Sequence, residues 1–272
     1  MIARPTTSVK IGLMNRRSFA QSVGGAAALS ALAAAQTQRS ARKTRLYRLE
    51  YFYYRQGSQG ARIHEFLSSQ MPLITKHTQA AGVFNAIFAP HTPATLFLCG
   101  YSGMEEMESA DESIRRTSEY QAALEKMERG PEPPYDRAER VLLRATDFSP
   151  EITPLAEKPK TPRTFELRIY HSPTERQLQA LHERFAGPEI GIFHRSGIHP
   201  ILYADTLIGP NMPNLTYLIP FATLDDREKA WAAFGADPDW IKAREESIAR
   251  GGQIVAESDI SFLRPAAYSP IQ

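Results

Sequence analysis

Two stretches of the chain, 45–54 and 163–171, alternate between apolar and polar residues with the period of two that β-strands show. In each stretch every second residue is aromatic or aliphatic, and the residues between them are mixed in character. The apolar rows are Tyr47, Leu49 and Tyr51 in the first stretch and Phe165, Leu167 and Ile169 in the second. We therefore predict that each stretch is the opening strand of a folded unit.

Helical spacing follows both strands, and each helix is predicted to end at a glycine, Gly82 or Gly197. The apolar positions with this spacing are Ile63, Phe66, Leu67 and Ile74, and then Leu178, Leu181 and Phe185. Two strands, a second helical region and a final strand complete each unit. Strands are predicted near 83–90, 95–101, 198–208 and 214–221, helical regions around Tyr120 and Trp240, and final strands running to Phe148 and Tyr268. This βαββαβ order is typical of a ferredoxin-like unit.

The two units are copies of one another. Residues 93–98 (PATLFL) match residues 213–218 (PNLTYL) at an offset of 120. Nearer the start of each copy the offset falls to 118 and then to 116, which predicts about five extra residues in the second copy around 206–211. On this alignment His64 and His182 occupy non-equivalent helix positions and are expected to face solvent or to be incidental.

The repeat predicts an α+β fold of two tandem ferredoxin-like βαββαβ units. We expect a linker at 36–44, a first unit at 45–148, a proline-rich linker at 149–162 and a second unit at 163–270. A unit of this kind leaves one face of its sheet bare, and packing two such faces together as a dimeric α/β barrel would cover both. One chain can close this barrel as a pseudo-dimer. The alternative is that each half pairs with another chain in a homo-oligomer.

Residues 1–35 are predicted to be a cleaved export signal. Arg16 and Arg17 precede a short apolar run, rich in glycine and alanine, that ends in small residues. The paired arginine resembles the bacterial twin-arginine class, which indicates a periplasmic or secreted protein. The apolar run is shorter than a helix that spans a bilayer, so no stable membrane span is expected after cleavage. The translation start is either Met1 or Met14.

Charge argues against a nucleic-acid partner. The chain of 272 residues has a formal net charge of +2, from 32 basic and 30 acidic residues. Four of the basic residues and none of the acidic ones lie in 1–35, so the remainder has a formal net charge of −2. No basic surface for nucleic acid is expected. The single cysteine, Cys99, excludes an intrachain disulfide and a cysteine zinc cluster, and we expect it to be a small apolar residue of a strand.

The mixed rows of the two opening strands are the first candidates for chemistry. If the apolar rows pack on the helices, the mixed rows face the barrel interior, where buried charges must be paired. One interpretation is a structural ladder of ion pairs, reversed in sign between the copies. The other is the polar end of a ligand cavity, in which Arg168 or Arg48 holds an anionic or carbonyl group. The two rows are Arg48, Glu50 and Phe52, and Glu166, Arg168 and Tyr170.

The second strand of each copy supplies further ligand-pocket candidates. The alignment places Phe84 and Phe88 opposite His199 and Tyr203, on one face of that strand. His199 and Tyr203 can donate a proton to a substrate or accept one from it. The ordinary alternative for His199 is a hydrogen-bonded residue near a loop.

Two more histidines, His77 and His194, lie near the predicted helix ends, where a cation suits the negative end of the helix dipole. The alternatives for them are catalysis or axial ligation of haem. The zinc-protease, dinucleotide, P-loop and nucleophile-elbow motifs are absent from the sequence. No metal site and no cofactor are predicted, with haem as a weaker alternative.

The second copy resembles the NIPSNAP family, whose domains belong to the dimeric α/β-barrel group. The resemblance covers 163–268. Its motifs are FELRIY at 165–170, FHRSG at 193–197, Gly209-Pro210, LTYL at 215–218, DPDW at 237–240 and FLRP at 262–265. The first copy is degenerate, because TSEY at 117–120 stands where the second copy has DPDW and Ala145 stands where it has Pro265.

The resemblance implies a group that includes cofactor-free monooxygenases, haem-dependent enzymes and small-molecule binding proteins. We therefore expect an exported protein that binds a small, mainly apolar molecule in an α/β barrel. The alternative is a cofactor-free oxygenase or isomerase that uses His199, Tyr203 and the Glu166–Arg168 pair. Haem binding is a weaker alternative. A barrel interior filled with side chains would argue against a ligand.

Overall fold

Eight strands and seven α-helices follow one another in residues 43–272, the part of the chain that the computed structural model describes. The first half contains β1 (Leu46–Tyr53), α1 (Ser58–His77), β2 (Ala80–Phe88), β3 (Ala94–Tyr101), α2 (Met104–Arg115), α3 (Ser118–Glu128) and β4 (Arg137–Ala145). The second half contains β5 (Thr164–His171), α4 (Glu175–Arg184), a π-helical turn (Phe185–Glu189), α5 (Ile190–Arg195), β6 (Leu202–Ile208), β7 (Asn214–Phe221), α6 (Leu224–Ala236), α7 (Pro238–Gly251) and β8 (Glu257–Pro265). The predicted export signal lies outside the described residues.

The eight strands form one closed antiparallel barrel within a single chain. The first half contributes the strand order β4-β1-β3-β2, and the second half contributes β8-β5-β7-β6. Two seams join the halves, β2 with β8 and β4 with β6. Each seam has a register shift, between Ala86 and Phe88 in one and between Leu142 and Leu143 in the other. The two shifts are at equivalent places in the repeat.

The apolar rows of β1 and β5 face the interior of the barrel, contrary to the prediction. Tyr47, Leu49, Phe165 and Leu167 belong to one buried cluster that draws residues from both halves. Two further clusters lie between the sheet and the helices, one in each half. Both faces of the sheet are therefore buried, so an apolar row alone does not show which face packs on the helices.

The mixed rows face the helices, so the prediction that they line the barrel interior is wrong. In the first half Arg48 contacts Asp111 of α2, and in the second half Glu166 contacts Arg227 and Trp231 of α6. A charge inside the barrel could be paired only by other strand residues, because the helices do not reach that space. On the outer face the helices supply partners of opposite charge, which makes burial of these groups tolerable.

The repeat keeps an offset of 120 throughout the central hairpins. β2 pairs Val83 with Phe97, and β6 pairs Tyr203 with Tyr217 in the same register. The predicted insertion around 206–211 is therefore wrong. The opening strands have an offset of 118, so the extra residues of the second copy lie before β6, in the region of the π-helical turn.

One of the two predicted helix-ending glycines is correct. Gly197 follows α5 with a φ of 88°, as a glycine that ends a helix often does. Gly82 instead lies inside β2, and the prediction for it is wrong. A Cβ atom at Gly82 would lie 2.8 Å from Ile271 Cδ1, so close packing at the closed end of the barrel requires the glycine.

In each half, a short segment that follows the last strand contacts the other half, and we call these two segments the tails. The tail at 146–149 contacts β6, and the tail at 266–271 contacts β2. The backbone bonds are Thr146 N–H to Tyr203 O at 3.0 Å and Ala266 N–H to Val83 O at 2.9 Å. The side-chain bonds are Tyr203 N–H to Ser149 Oγ and Val83 N–H to Ser269 Oγ, both at 3.0 Å. These crossed tails join the two halves in a pseudo-symmetric way.

Candidate functional site

The barrel is filled at its centre and open at one end. Phe84 and Phe165 pack with their ring centroids 5.0 Å apart in the centre. At the carboxyl ends of β1 and β5 a cavity of about 270 Å³ opens instead, beside the loops that follow β2 and β6. We call it the mouth cavity. Its lining includes Leu49, Leu96, Leu143, Leu167 and Ile169 on the apolar side, and Tyr51, Tyr53, His91, Glu139, His171 and Asp259 on the polar side.

Two polar pairs stand at equivalent places in the mouth cavity. Tyr53 Oη donates to Glu139 Oε2 at 3.1 Å. In the other half, His171 Nε2 lies 3.0 Å from Asp259 Oδ2. The repeat offsets make Tyr53 equivalent to His171 and Glu139 equivalent to Asp259. Each half therefore brings one ring and one carboxylate to the opening.

Both ring nitrogens of His171 face oxygen acceptors. Nε2 meets the Asp259 carboxylate, and Nδ1 lies 3.0 Å from the backbone oxygen of Asn211. Asn211 has a φ of 53°, a left-handed conformation that asparagine tolerates. A neutral imidazole can donate from only one nitrogen, so both bonds form together only when the ring is a cation. Both ring nitrogens of His171 are directed at protein oxygens and not at the cavity.

Tyr51 supplies a hydroxyl that has no hydrogen-bond partner among residues 43–272. Its ring stacks on Tyr53, with 6.0 Å between the centroids. Burial raises the pKa of Tyr51 far above its ordinary value, and Tyr53, Glu139 and Asp259 raise it further. Burial and Glu139 likewise raise the pKa of Tyr53 to about 12. Both phenols are therefore protonated at neutral pH, and the Tyr51 hydroxyl can donate to a ligand.

The predicted candidates Arg48, Glu50 and Phe52 line a different cavity, between the sheet and the helices of the first half. It has a volume of about 140 Å³, and we call it the helix-side cavity. Arg48 lies 2.6 Å from Asp111 Oδ2 and 2.8 Å from Glu50 Oε1. Of the two interpretations of this row, the ion-pair ladder describes the contacts. The row also contributes polar atoms to a cavity, although not inside the barrel.

In the second half a carboxylate occupies the position equivalent to Arg48, and it is enclosed by donors. Glu166 is 0% exposed and accepts from Arg168 Nε at 2.5 Å, Arg227 Nε at 2.7 Å and Trp231 Nε1 at 3.1 Å. Arg168 also donates to Tyr170 Oη at 2.7 Å. Burial would raise the pKa of Glu166, but the hydrogen bonds and charges of Arg227 and Arg168 outweigh it and hold that pKa below its ordinary value. This group is a saturated ion-pair network.

The second-strand candidates do not come together as predicted. Phe84 faces the barrel core, whereas Phe88 is 68% exposed. Tyr203 is buried on the helix side, and its hydroxyl has no hydrogen-bond partner among the described residues. His199 is exposed on the surface. The predicted shared face is wrong, because Val83 rather than Phe88 is the true equivalent of Tyr203.

The helix-end histidines lie away from both cavities. His77 is the last residue of α1, and His194 is in the last turn of α5, as the capping interpretation expects. The rings of His194 and His199 stack, with 5.1 Å between centroids. Burial and, after it, His199 lower the pKa of His194. Because neither His77 nor His194 lines the mouth or the helix-side cavity, these positions do not present an axial ligand to a haem there.

The interpretation of His64 and His182 as non-equivalent and incidental is wrong. His64 bonds Asn85 Oδ1 at 2.6 Å and Tyr268 Oη at 2.7 Å. His182 bonds Asp205 Oδ1 at 2.7 Å. The two histidines are equivalent at the offset of 118, and each joins its helix to the second strand of its own half.

The polar residues of the mouth cavity were not among the predicted site residues. Tyr53 and His171 continue the apolar rows by one more step of two residues, so extending the alternation finds them. Glu139 and Asp259 match at the repeat offset of 120. Their approach to Tyr53 and His171 depends on the pairing of β1 with β4 and of β5 with β8, which alternation within one strand does not encode.

Two other predictions concern Cys99 and metals. Cys99 is buried in β3 as expected, and burial raises the pKa of its thiol to about 12. Among residues 43–272 no group of three or more histidine, cysteine, aspartate or glutamate residues is placed to hold a metal ion. In the same range, every helix is too short or too polar to cross a membrane.

Comparison with known proteins supports the fold. Residues 165–270 match the family model described as NIPSNAP, and none of the curated proteins matches the chain. A monooxygenase-like protein from Lactobacillus acidophilus NCFM is similar over 82% of this chain and 94% of its own, with 9% identity and a TM-score of 0.52. An anthrone oxidase-like protein is similar over 82% and 92%, with 13% identity and a TM-score of 0.51.

A NIPSNAP family protein of unknown function from Agrobacterium tumefaciens str. C58 is similar over 40% of this chain and 94% of its own, with 22% identity and a TM-score of 0.36. The family model matches the half of the chain in which the motifs predicted a resemblance to NIPSNAP. The chain has a mixed α/β fold with neighbours in the dimeric α/β-barrel group.

Proposed function

We propose that this protein binds one small, mainly apolar molecule in the mouth cavity. The observation that carries the proposal is the composition of the mouth cavity, which has aliphatic walls on one side and a few convergent polar groups on the other. Small-molecule sites in proteins have this composition. Each methylene group that a ligand buries there contributes about 0.8 kcal/mol to binding. The filled centre of the barrel limits the depth of the ligand to the open end.

The polar end of the ligand is expected to be neutral. Glu139 and Asp259 bring two carboxylates to the opening, and the hydroxyl of Tyr51 provides a donor. Glu139 is already paired with Arg137 at 3.4 Å and Asp259 with His171 at 3.0 Å, so a ligand carboxylate would find no free partner there, whereas a hydroxyl or carbonyl oxygen can accept from Tyr51. The preferred class is therefore a fused-ring or branched apolar alcohol, phenol or ketone.

Calorimetric titration of the full chain with 2-naphthol, 2-naphthoate and naphthalene tests this proposal. We expect 2-naphthol to bind at least about tenfold more tightly than 2-naphthoate, a difference of about 1.4 kcal/mol. Ile169→Trp places a large ring in the cavity and should abolish binding of 2-naphthol. Ile241→Trp makes the same change on the exposed face of α7 and should leave binding unchanged.

Tighter binding of 2-naphthoate, or unchanged binding by the Ile169→Trp chain, would contradict the proposal. Thermal unfolding of both variants before titration separates loss of the site from loss of the fold.

A cofactor-free oxygenase or isomerase is the second candidate. The Tyr51 hydroxyl can donate to a developing enolate oxygen in the mouth cavity, and the carboxylates of Glu139 and Asp259 in the same lining can take up the abstracted proton. The monooxygenase-like and oxidase-like neighbours share the fold with this chain, and their names say nothing of its substrate. If the site promotes enolisation, the wild-type chain speeds exchange of the C1 protons of 2-tetralone with deuterated water, and Tyr51→Phe removes most of that rate. Equal rates would exclude a role for Tyr51.

We also infer that the two halves, 45–148 and 163–270, are tandem ferredoxin-like units that form a pseudo-dimer. The repeated strand order and the matching seams support this inference. The homo-oligomer alternative would require seams between chains. Sedimentation of the full chain as a folded monomer at low concentration would favour the single-chain barrel, and unfolding of the chain upon dilution would oppose it.

For localisation, we propose export by the twin-arginine route to the periplasm. The support is Arg16-Arg17 and the apolar run that follows them. Changing both arginines to lysine should stop export and leave the protein in the cytoplasmic fraction. An unchanged periplasmic yield would contradict the proposal.

A further inference from the structure

The helix-side cavity reaches Arg48 and Glu50 of the opening strand, whereas the cavity of about 180 Å³ between the sheet and the helices of the second half does not reach the equivalent residues Glu166 and Arg168. The helix-side cavity lies beneath α1, α2 and α3, against the outer face of β1 and β3, and has a volume of about 140 Å³. Its walls are mostly rings and aliphatic chains, with one polar side formed by Arg48, Glu50 and Asp111. The mouth cavity lies on the opposite face of the same sheet, so the two cavities are separate.

The space beside Arg48 in the helix-side cavity results from a difference between the two copies at one position of the repeat. Asp111 of α2 is equivalent to Trp231 of α6, since both helices follow the offset of 120. In the second half Trp231 packs against Phe193 and under the Arg168 guanidinium, which lies 3.8 Å from its ring centroid. The indole therefore fills the space over the opening strand. Asp111 is much smaller and leaves that space open.

The polar side of the cavity is nearly balanced in charge. Arg48 bridges Glu50 and Asp111, while the more exposed Arg140 and Arg115 contact the same two carboxylates from outside. Each charge of the site already has a partner, so a charged ligand would find no free group of opposite charge. Arg48 Nε is buried and has no well-directed hydrogen bond among the described residues, although Glu50 lies 2.8 Å away. Its N–H is therefore not aligned with the Glu50 carboxylate, although the two groups form an ion pair.

We propose that the helix-side cavity is a second ligand site, and that it takes a neutral molecule of one aromatic ring bearing a hydroxyl group, such as a simple phenol. Apolar cavities of about this volume accommodate a single benzene ring. The phenol oxygen can accept from Arg48 Nε, and its proton can be donated to Asp111. The ring would occupy the space that Trp231 fills in the other half.

Ligand-observed NMR with phenol and benzoate tests the proposal, and every sample carries Ile169→Trp. That change fills the mouth cavity, so the result is independent of whether the proposed function is correct. We expect phenol to bind this chain and benzoate to bind at least tenfold more weakly. Adding Asp111→Trp, which reproduces the side chain of the second half, should abolish phenol binding.

Ile114→Phe provides a second filling variant, because Phe234 occupies the equivalent place in the second half and no ion pair is lost. It should weaken phenol binding by tenfold or more while the chain stays folded. Absence of phenol binding to the Ile169→Trp chain would overturn the proposal. So would tighter binding of benzoate, or phenol binding that both filling variants leave unchanged.

Discussion

At the scale of single residues, the outer face of the sheet is governed by paired charges. Glu166 is fully buried yet ionised, because Arg168, Arg227 and Trp231 all donate to it. A buried ion pair of this kind is tolerated only while both the carboxylate and the arginines are present, because removing either one leaves the other charge buried and unpaired. The group at Arg48 follows the same rule with the signs reversed. These residues are structural in the second half and line a cavity in the first.

Glu166→Gln should reduce the free energy of unfolding by about 3–5 kcal/mol at pH 7, since it leaves two buried arginines without their carboxylate. Glu228→Gln is the matched control, because Glu228 also contacts Arg227 but is largely exposed. It should change stability by less than about 1 kcal/mol. Chemical denaturation of the three proteins measures both effects.

The ionisation of Glu166 also predicts how the stability of the folded protein falls at acid pH. The pKa of Glu166 is lower in the folded than in the unfolded chain. Its contribution is therefore complete above the unfolded pKa, near about 4.3, and is lost as the pH falls toward the folded pKa. Between pH 5 and 3 the wild-type protein should lose more stability than Glu166→Gln. If the unfolding free energies of the two proteins fall in parallel with pH, another group controls the loss of stability at acid pH.

Tyr203→Phe should stabilise the protein or leave it unchanged. The hydroxyl of Tyr203 is buried without a partner in the described structure, and an unsatisfied buried polar group costs about 1–3 kcal/mol. Tyr170→Phe is the control, because it removes a hydroxyl that accepts from Arg168 and should be destabilising. A fall in the melting temperature of Tyr203→Phe would show that the hydroxyl has a partner in solution.

At the scale of secondary-structure elements, the crossed tails connect the two halves in addition to the strand seams. Each tail places a serine hydroxyl under a backbone N–H group of the opposite half. Neither tail forms a regular element, and both end near the closed end of the barrel.

Ser149→Ala and Ser269→Ala should each cost about 1–3 kcal/mol, because each leaves one buried backbone N–H group unpaired. Their pseudo-symmetric positions predict similar losses. Ser258→Ala, at an exposed position of β8, should have little effect. Urea denaturation of the three variants checks this, and a normal stability of both tail variants would show that the tails do not join the halves.

Alternation and helical spacing predicted the order of the elements and most of their positions. They could not predict which face of β1 and β5 packs on the helices, because both faces are buried in a closed barrel. The insertion predicted around 206–211 was misplaced because the second strands of the two copies were aligned incorrectly. Aligning His199 with Phe84 rested on residue similarity, whereas the register of β6 with β7 makes Val83 and Tyr203 equivalent.

The site was harder to predict than the fold. Tyr53 and His171 follow directly from the apolar rows once those rows are assigned to the barrel interior. Their carboxylate partners come from β4 and β8, about 86–88 residues later in the chain. The sequence around Asp111 alone does not predict a cavity. The cavity can be predicted only by comparing Asp111 with the equivalent and much larger Trp231, once the repeat has aligned the helices of both halves.

At the scale of the whole molecule, one chain closes a barrel with one filled centre, one closed end and one open end. Ile271 packs at the closed end, and the mouth cavity occupies the open end. The repeat is symmetric in its strands but not in its cavities. The mouth cavity combines side chains of both halves, whereas the helix-side cavity belongs to the first half.

Location of a bound ligand by crystallography tests the proposed function most directly. Crystals of the full chain soaked with 6-bromo-2-naphthol should show one anomalous bromine peak in the mouth cavity, among Leu167, Ile169 and Tyr51. Crystals of the Ile169→Trp chain should lack it. Absence of a bromine peak from the mouth cavity, or a peak that remains there in the Ile169→Trp crystals, would contradict the account.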